Sequence, residues 1–119
     1  MTNISLMPTH LIFMFHSTSD STLFNIGLDA TITACILDQP ASIVLLGSAA
    51  AILEENPNLA YPSAKLKLSI DYGLKNIVIE KGALQQYSIN LSDYGDTLLP
   101  LKTPALHQWL QQAGKIASF

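Results

Sequence analysis

Arginine is absent from the 119 residues, cysteine occurs once, and charged side chains make up 13% of the chain where about a quarter is usual. Each shortage excludes something. With no guanidinium to fork onto phosphate, six lysines spread from Lys65 to Lys115 and a net charge of −3, direct nucleic-acid binding is not expected. A single cysteine, Cys35, rules out an internal disulfide framework and suits a reducing compartment. Long apolar runs are missing too. Leu11–Phe15 is too short for a membrane span or a signal peptide's apolar region, and Met1–Thr9 carries no Lys or Arg, so a cytoplasmic protein without membrane attachment is expected.

What is present is apolar: hydrophobic residues make up 49% and the mean hydropathy is +0.31, which excludes a disordered chain. The length suits one domain over 1–119, with 1–9 as a loose N-terminal extension, able to bury about two-thirds of its unfolded surface without a staple or metal. So few charges leave apolar outer surface to be covered by another chain. An oligomer is expected.

Leu11–Phe15 and Ala41–Gly47 are continuous apolar runs of strand length, the pattern of strands buried on both faces. Between them Phe24, Leu28, Ile32 and Cys35/Ile36 recur at helical spacing, after a Ser/Asp cluster able to cap and before Pro40. Ser48–Glu54 reads as a short Ala-rich helix and Glu55–Asn58 as a polar loop. Residues 64–72 alternate like a strand. Yet Pro62 suits the first helical turn, Leu66, Ile70 and Leu74 share a helical face, and Gly73 suits a helix end, so a helix is predicted. Strands at Asn76–Glu80, Thr97–Leu101 and Lys115–Phe119, with helices at Lys81–Tyr87 and Pro104–Ala113, complete the pattern. Such alternation predicts a single-domain three-layer α/β/α sandwich on a mostly parallel sheet of about five strands.

In open sheets of this kind sites form beyond the carboxyl ends of the strands, here the loops that start at His16, Gly47 and Glu80. His16-Ser17-Thr18-Ser19-Asp20-Ser21 holds the residue types of a hydrolase triad but no Gly-x-Ser-x-Gly elbow, so it reads as a capping loop. An anion or small ligand held by Ser17–Ser21 is the alternative, with Ser17 and Asp20 as candidates. Gly47-Ser48 follows a strand but lacks the further glycines of a nucleotide fingerprint, so Gly47 reads as a turn residue. Cys35, on the apolar stripe of its helix, reads as a buried inert thiol, and a sulfur carrier acting through it is the less favoured alternative. His10, His16 and His107 lack paired ligand spacing and read as surface or interface residues, so neither metal nor cofactor is expected. Trp109 reads as a core or interface aromatic, and Gly27 as the residue that lets its helix approach the sheet.

Phe13-Met14-Phe15, then Ile26-Gly27-Leu28-Asp29-Ala30, then Ile43-Val44-Leu45-Leu46-Gly47, then Tyr72-Gly73-Leu74-Lys75-Asn76-Ile77 and a final Phe119 resemble the TusC/DsrF subunits of the DsrE-like family. That family carries F-x-F, E-G-L-D-A, an apolar strand ending in Gly or Ala, and L-G-L-Y-D-I in the same order. The chain departs from it in two loops, with Ser-Thr-Ser-Asp-Ser in place of Pro-His-Gly and Gly47-Ser48 in place of D-G. The resemblance implies a non-catalytic subunit of a sulfur-relay complex with DsrE/TusD-like and DsrH/TusB-like partners. Such complexes pass persulfide sulfur toward 2-thiouridine of tRNA or serve sulfur oxidation. It also places Glu80 at or within one residue of the position where the DsrE/TusD-like subunit carries its active cysteine, and a carboxylate cannot accept sulfane sulfur. Asp29 of the G-L-D-A motif is the remaining candidate interface residue.

Overall fold

A computed structural model describes residues 10–54 and 60–119. The expected extension 1–9 and the polar loop 55–58 lie outside the described residues. Five strands, β1 (Leu11–Phe15), β2 (Ala41–Leu45), β3 (Ile77–Glu80), β4 (Leu98–Leu101) and β5 (Lys115–Ser118), form one sheet in the order β4-β3-β2-β1-β5. Every pairing is parallel, so the sheet is wholly rather than mostly parallel. Parallel neighbours need crossovers, and helices supply them: α1 (Thr22–Ile36), α2 (Ala60–Asp71), the short α3 (Ala83–Gln86) and α4 (Thr103–Gln111).

Strand alternation then divides the interior into two layers. Phe13, Phe15, Ile43, Leu45, Ile77 and Ile79 point to the face covered by α1 and α2, where the larger core lies. Ile12, Val44, Val78 and Leu101 point to the other face, where α4 covers them with Leu106 and Trp109. Both faces of β1 to β3 are therefore dry, which is why these strands lack a polar side.

The inner stripe of α1 is Phe24, Gly27, Leu28, Thr31, Ala34 and Cys35; of the expected Phe24-Leu28-Ile32-Cys35/Ile36 row, Phe24, Leu28 and Cys35 are on it, while Ile32 is only half-buried. Ile36 is exposed. The shift follows from small residues: Gly27 and Ala34 let the helix lie close to β1, and Thr31 satisfies its hydroxyl by donating to the Gly27 carbonyl at 2.8 Å. Residues 60–71 form the predicted helix, since Leu66 and Ser69 are buried one turn apart. Gly73 follows it with φ of +103°, the conformation the expected helix end requires. β2 stops at Leu45, two residues before the expected end, because Gly47 turns the chain with φ of +55°. The short helix expected at Ser48–Glu54 is a 3-10 helix over Gly47–Leu53; it buries Ala49, Ala50, Ile52 and Leu53.

One expectation fails at the amino end of the sheet. His10 is not a surface or interface residue but is buried, its Nε2 2.9 Å from the Ser42 hydroxyl oxygen. Both side chains belong to the α4 face, and each gives the other the hydrogen bond that burial demands. Burial, and then the nearby Lys75 ammonium, lower the His10 pKa below its ordinary value of 6.5. A histidine with a depressed folded pKa binds its proton more readily once unfolded, so its stabilising effect is complete above 6.5 and is lost as pH falls below that value. Thermal melts of the protein are expected to shift downward on acidification from pH 7, and His10→Gln to flatten that dependence.

Candidate functional site

Successive parallel strands bring their carboxyl ends to one edge of the sheet. The loop after β1, the Gly47 turn after β2 and Glu80 at the end of β3 therefore share the edge where a site is expected. Ser17, Asp20, Gly47 and Glu80 are all on this edge, and Asp29 and Trp109 are not.

The loop after β1 is committed to structure. Ser21 caps α1, its hydroxyl oxygen accepting from the Phe24 amide at 3.1 Å, and Thr18 to Ser21 close a turn in which the Ser21 amide donates to the Thr18 carbonyl at 3.0 Å. The amides of His16 and Ser17, which could have met an anion, both donate to the main-chain oxygen of Phe119, at 2.9 and 3.2 Å. Asp20 is exposed, and the Ser17 hydroxyl is enclosed without a partner among the described residues. Gly47 is the expected turn residue, with nothing within 4 Å of the place its Cβ would occupy. Glu80 is exposed at the end of β3.

Asp29 stands on the outer side of α1, where its carboxylate meets the Lys65 ammonium of α2 at 2.8 Å. It ties two helices of the same chain. With the carboxylate 63% exposed, that pair adds little stability. Trp109 is corrected from a possible interface residue to a core residue: α4 lays it on Val78 and Ile12, leaving it 2% exposed. Its indole Nε1 has no partner among the described residues.

Cys35 is buried, as expected, and burial raises its thiol pKa against the weaker opposing pull of Lys75. It is also remote from the other candidates. α1 runs from the carboxyl end of β1 back to the amino end of β2, so Cys35, in its last turn, lies at the edge opposite Glu80. Among the described residues no three His, Cys, Asp or Glu side chains gather to hold a metal ion, and no helix is long and apolar enough to cross a membrane. The pair that sequence reasoning missed is His10–Ser42. Its signal was Ser42 itself, a hydroxyl within an otherwise apolar strand that must find a partner.

No family model and no curated protein matches the chain. Among solved structures it is similar to the ychN protein from E. coli, at 19% identity and a TM-score of 0.69 over 95% of this chain and 100% of that one. It is also similar to a conserved protein of unknown function, BT1422 from Bacteroides thetaiotaomicron, at 14% identity and a TM-score of 0.72 over 93% of this chain and 95% of that one. The fold is the DsrE/YchN-like α/β fold.

Proposed function

We propose that the chain is a non-catalytic, TusC/DsrF-like subunit of a cytoplasmic sulfur-relay assembly, docking DsrE/TusD-like and DsrH/TusB-like chains and helping to shape the persulfide site of the former. The observation that carries this reading is the position of the only thiol. Cys35 is buried at the edge away from the strand ends, and Glu80 occupies the accessible end of β3, so the chain holds no sulfur acceptor where the fold would use one. Apolar side chains left outside, Leu23, Ile26, Ile36 and Leu37 on and just after α1, supply surface for neighbours.

Gentle isolation of the tagged protein from its own cells, with the native mass and the identity of copurifying chains, tests the reading. Two other small DsrE-like chains in stoichiometric amount, one with a reactive cysteine, is the expected result; the protein alone is the result that overturns it. A second measurement addresses Cys35 directly. In the native protein near neutral pH its reaction with a thiol reagent is expected to be at least about a hundredfold slower than in the unfolded chain, because access requires opening of the α1 layer. Rapid labelling would favour a carrier acting through Cys35.

A further inference from the structure

The two edges of the sheet differ in what they offer a neighbour. In a parallel pair alternate residues turn both main-chain groups toward the partner strand. On β5 these are Lys115 and Phe119, whose amides donate to the carbonyls of His10 and Met14, and by the same alternation Ala117. Ile116 and Ser118 therefore turn their N–H and C=O groups outward. On β4 the Lys81 amide donates to Leu101, so Leu98 and Pro100 face outward, and Pro100 has no N–H to give. Proline at an outward position is a common way to blunt an edge strand. Among the described residues, then, the β4 edge is blunted and the β5 edge is open.

Apolar surface accompanies the open edge. Ile116, 46% exposed, stands beside Ile12 on the α4 face of the sheet. On the opposite face, α1 turns Asp29 toward α2 and Gly27 toward Phe119, the residue after β5. At helical spacing Leu23 and Ile26, with Leu37 at the helix end, fall on the Gly27 flank, and they are 46%, 53% and 65% exposed. Edge and flank lie on one side of the molecule.

We propose that the β5 edge pairs antiparallel with the β5 edge of a second copy of this chain, about a twofold axis at Ala117, joining two sheets into one of ten strands. The register is self-complementary. Ile116 faces Ser118 of the mate and Ser118 faces Ile116, so the outward groups of both residues are satisfied in four hydrogen bonds, and Ala117 faces its own copy. The β4 edge offers no such match, because Pro100 leaves an acceptor unanswered. This pairing does not depend on the sulfur-relay reading, since it needs only the chain itself.

The purified chain is expected to sediment as a dimer at tens of micromolar, roughly the range open to a short apolar interface. Ile116→Pro removes an outward donor and keeps the bonds to β1; it is expected to raise the dimer dissociation constant at least about tenfold. Register is read by cross-linking under a mild thiol oxidant, with the linked residue identified by peptide mass. Ala117→Cys is expected to form a disulfide-linked dimer, because facing non-hydrogen-bonded Cα atoms about 4.5 Å apart suit the bond. Ser118→Cys, whose copy lies diagonally at roughly 7–8 Å, is expected not to link alone. A monomeric purified chain overturns the proposal, including one that dimerises only with a related subunit. So do equal cross-linking at 117 and 118 and a dimer indifferent to Ile116→Pro. None of these results bears on which chains copurify from cells.

Discussion

Phe24→Ala is expected to cost about 3–5 kcal/mol of folding stability, the usual range for removing a fully buried aromatic ring. Phe24 is completely enclosed in the first turns of α1, with its ring centroid 4.7 Å from that of Phe15, which is equally enclosed. Few neighbours can collapse into the space. Phe15 is held by β1 and by Phe119 on its other side, and Leu28 and Ile52 are fixed by their own elements. The change leaves the helix start intact, because Ser21 caps the Phe24 amide and not its side chain. Against a typical total of about 5–15 kcal/mol the loss is large, and a melting midpoint lower by roughly 10–20 °C is expected. Leu23→Ala provides the contrast. Next along the chain but 46% exposed, Leu23 is expected to change stability by less than about 0.5 kcal/mol, which thermal or urea melts of both variants would show.

That contrast explains how far the fold and the site were legible in the sequence. Runs such as Leu11–Phe15 and Ile77–Ile79 are apolar on both sides because helices cover both faces, so their number and parallel arrangement could be read. Residues 64–72 carried two periods at once, and the flanking Pro62 and Gly73 identified the right one. What could not be read depended on distant partners. Ile36 and Ile32 look as apolar as Leu28, and only the closeness that Gly27 and Ala34 allow decides which side of α1 faces β1. His10 could be placed inside only by its pairing with Ser42, 32 residues later. The loop after β1 looked free to bind an anion because its amides are answered by Phe119, from the far end of the chain. Local pattern names the elements, and long-range closure decides what each one leaves available.

The second large effect lies where that closure is tightest. Alanine at a helical glycine ordinarily stabilises by about 1 kcal/mol, since it removes unfolded-state freedom and improves helix propensity. Gly27→Ala is expected to do the opposite. A Cβ there would stand 2.5 Å from Phe15 Cε2 and 2.7 Å from Phe119 Cγ, well inside van der Waals contact. Phe119, half-buried, can swing aside; Phe15 cannot, because its fully buried ring is packed against Phe24 and its backbone is paired with Leu45 of β2. The helix must therefore lift from β1, loosening Leu28 and Phe24 with it, at a net cost of about 1–3 kcal/mol. The order of relief separates the two contacts. Adding Phe119→Leu to Gly27→Ala is expected to recover little, while Phe15→Leu, destabilising in the parent, is expected to cost less in the Gly27→Ala background. Equilibrium unfolding of the parent and the five variants, three single and two double, as two double-mutant cycles measures both couplings. A Gly27→Ala protein as stable as the parent would mean that α1 does not rest on β1 at this distance, and the exposed flank beside Phe119 would have to be redrawn with it.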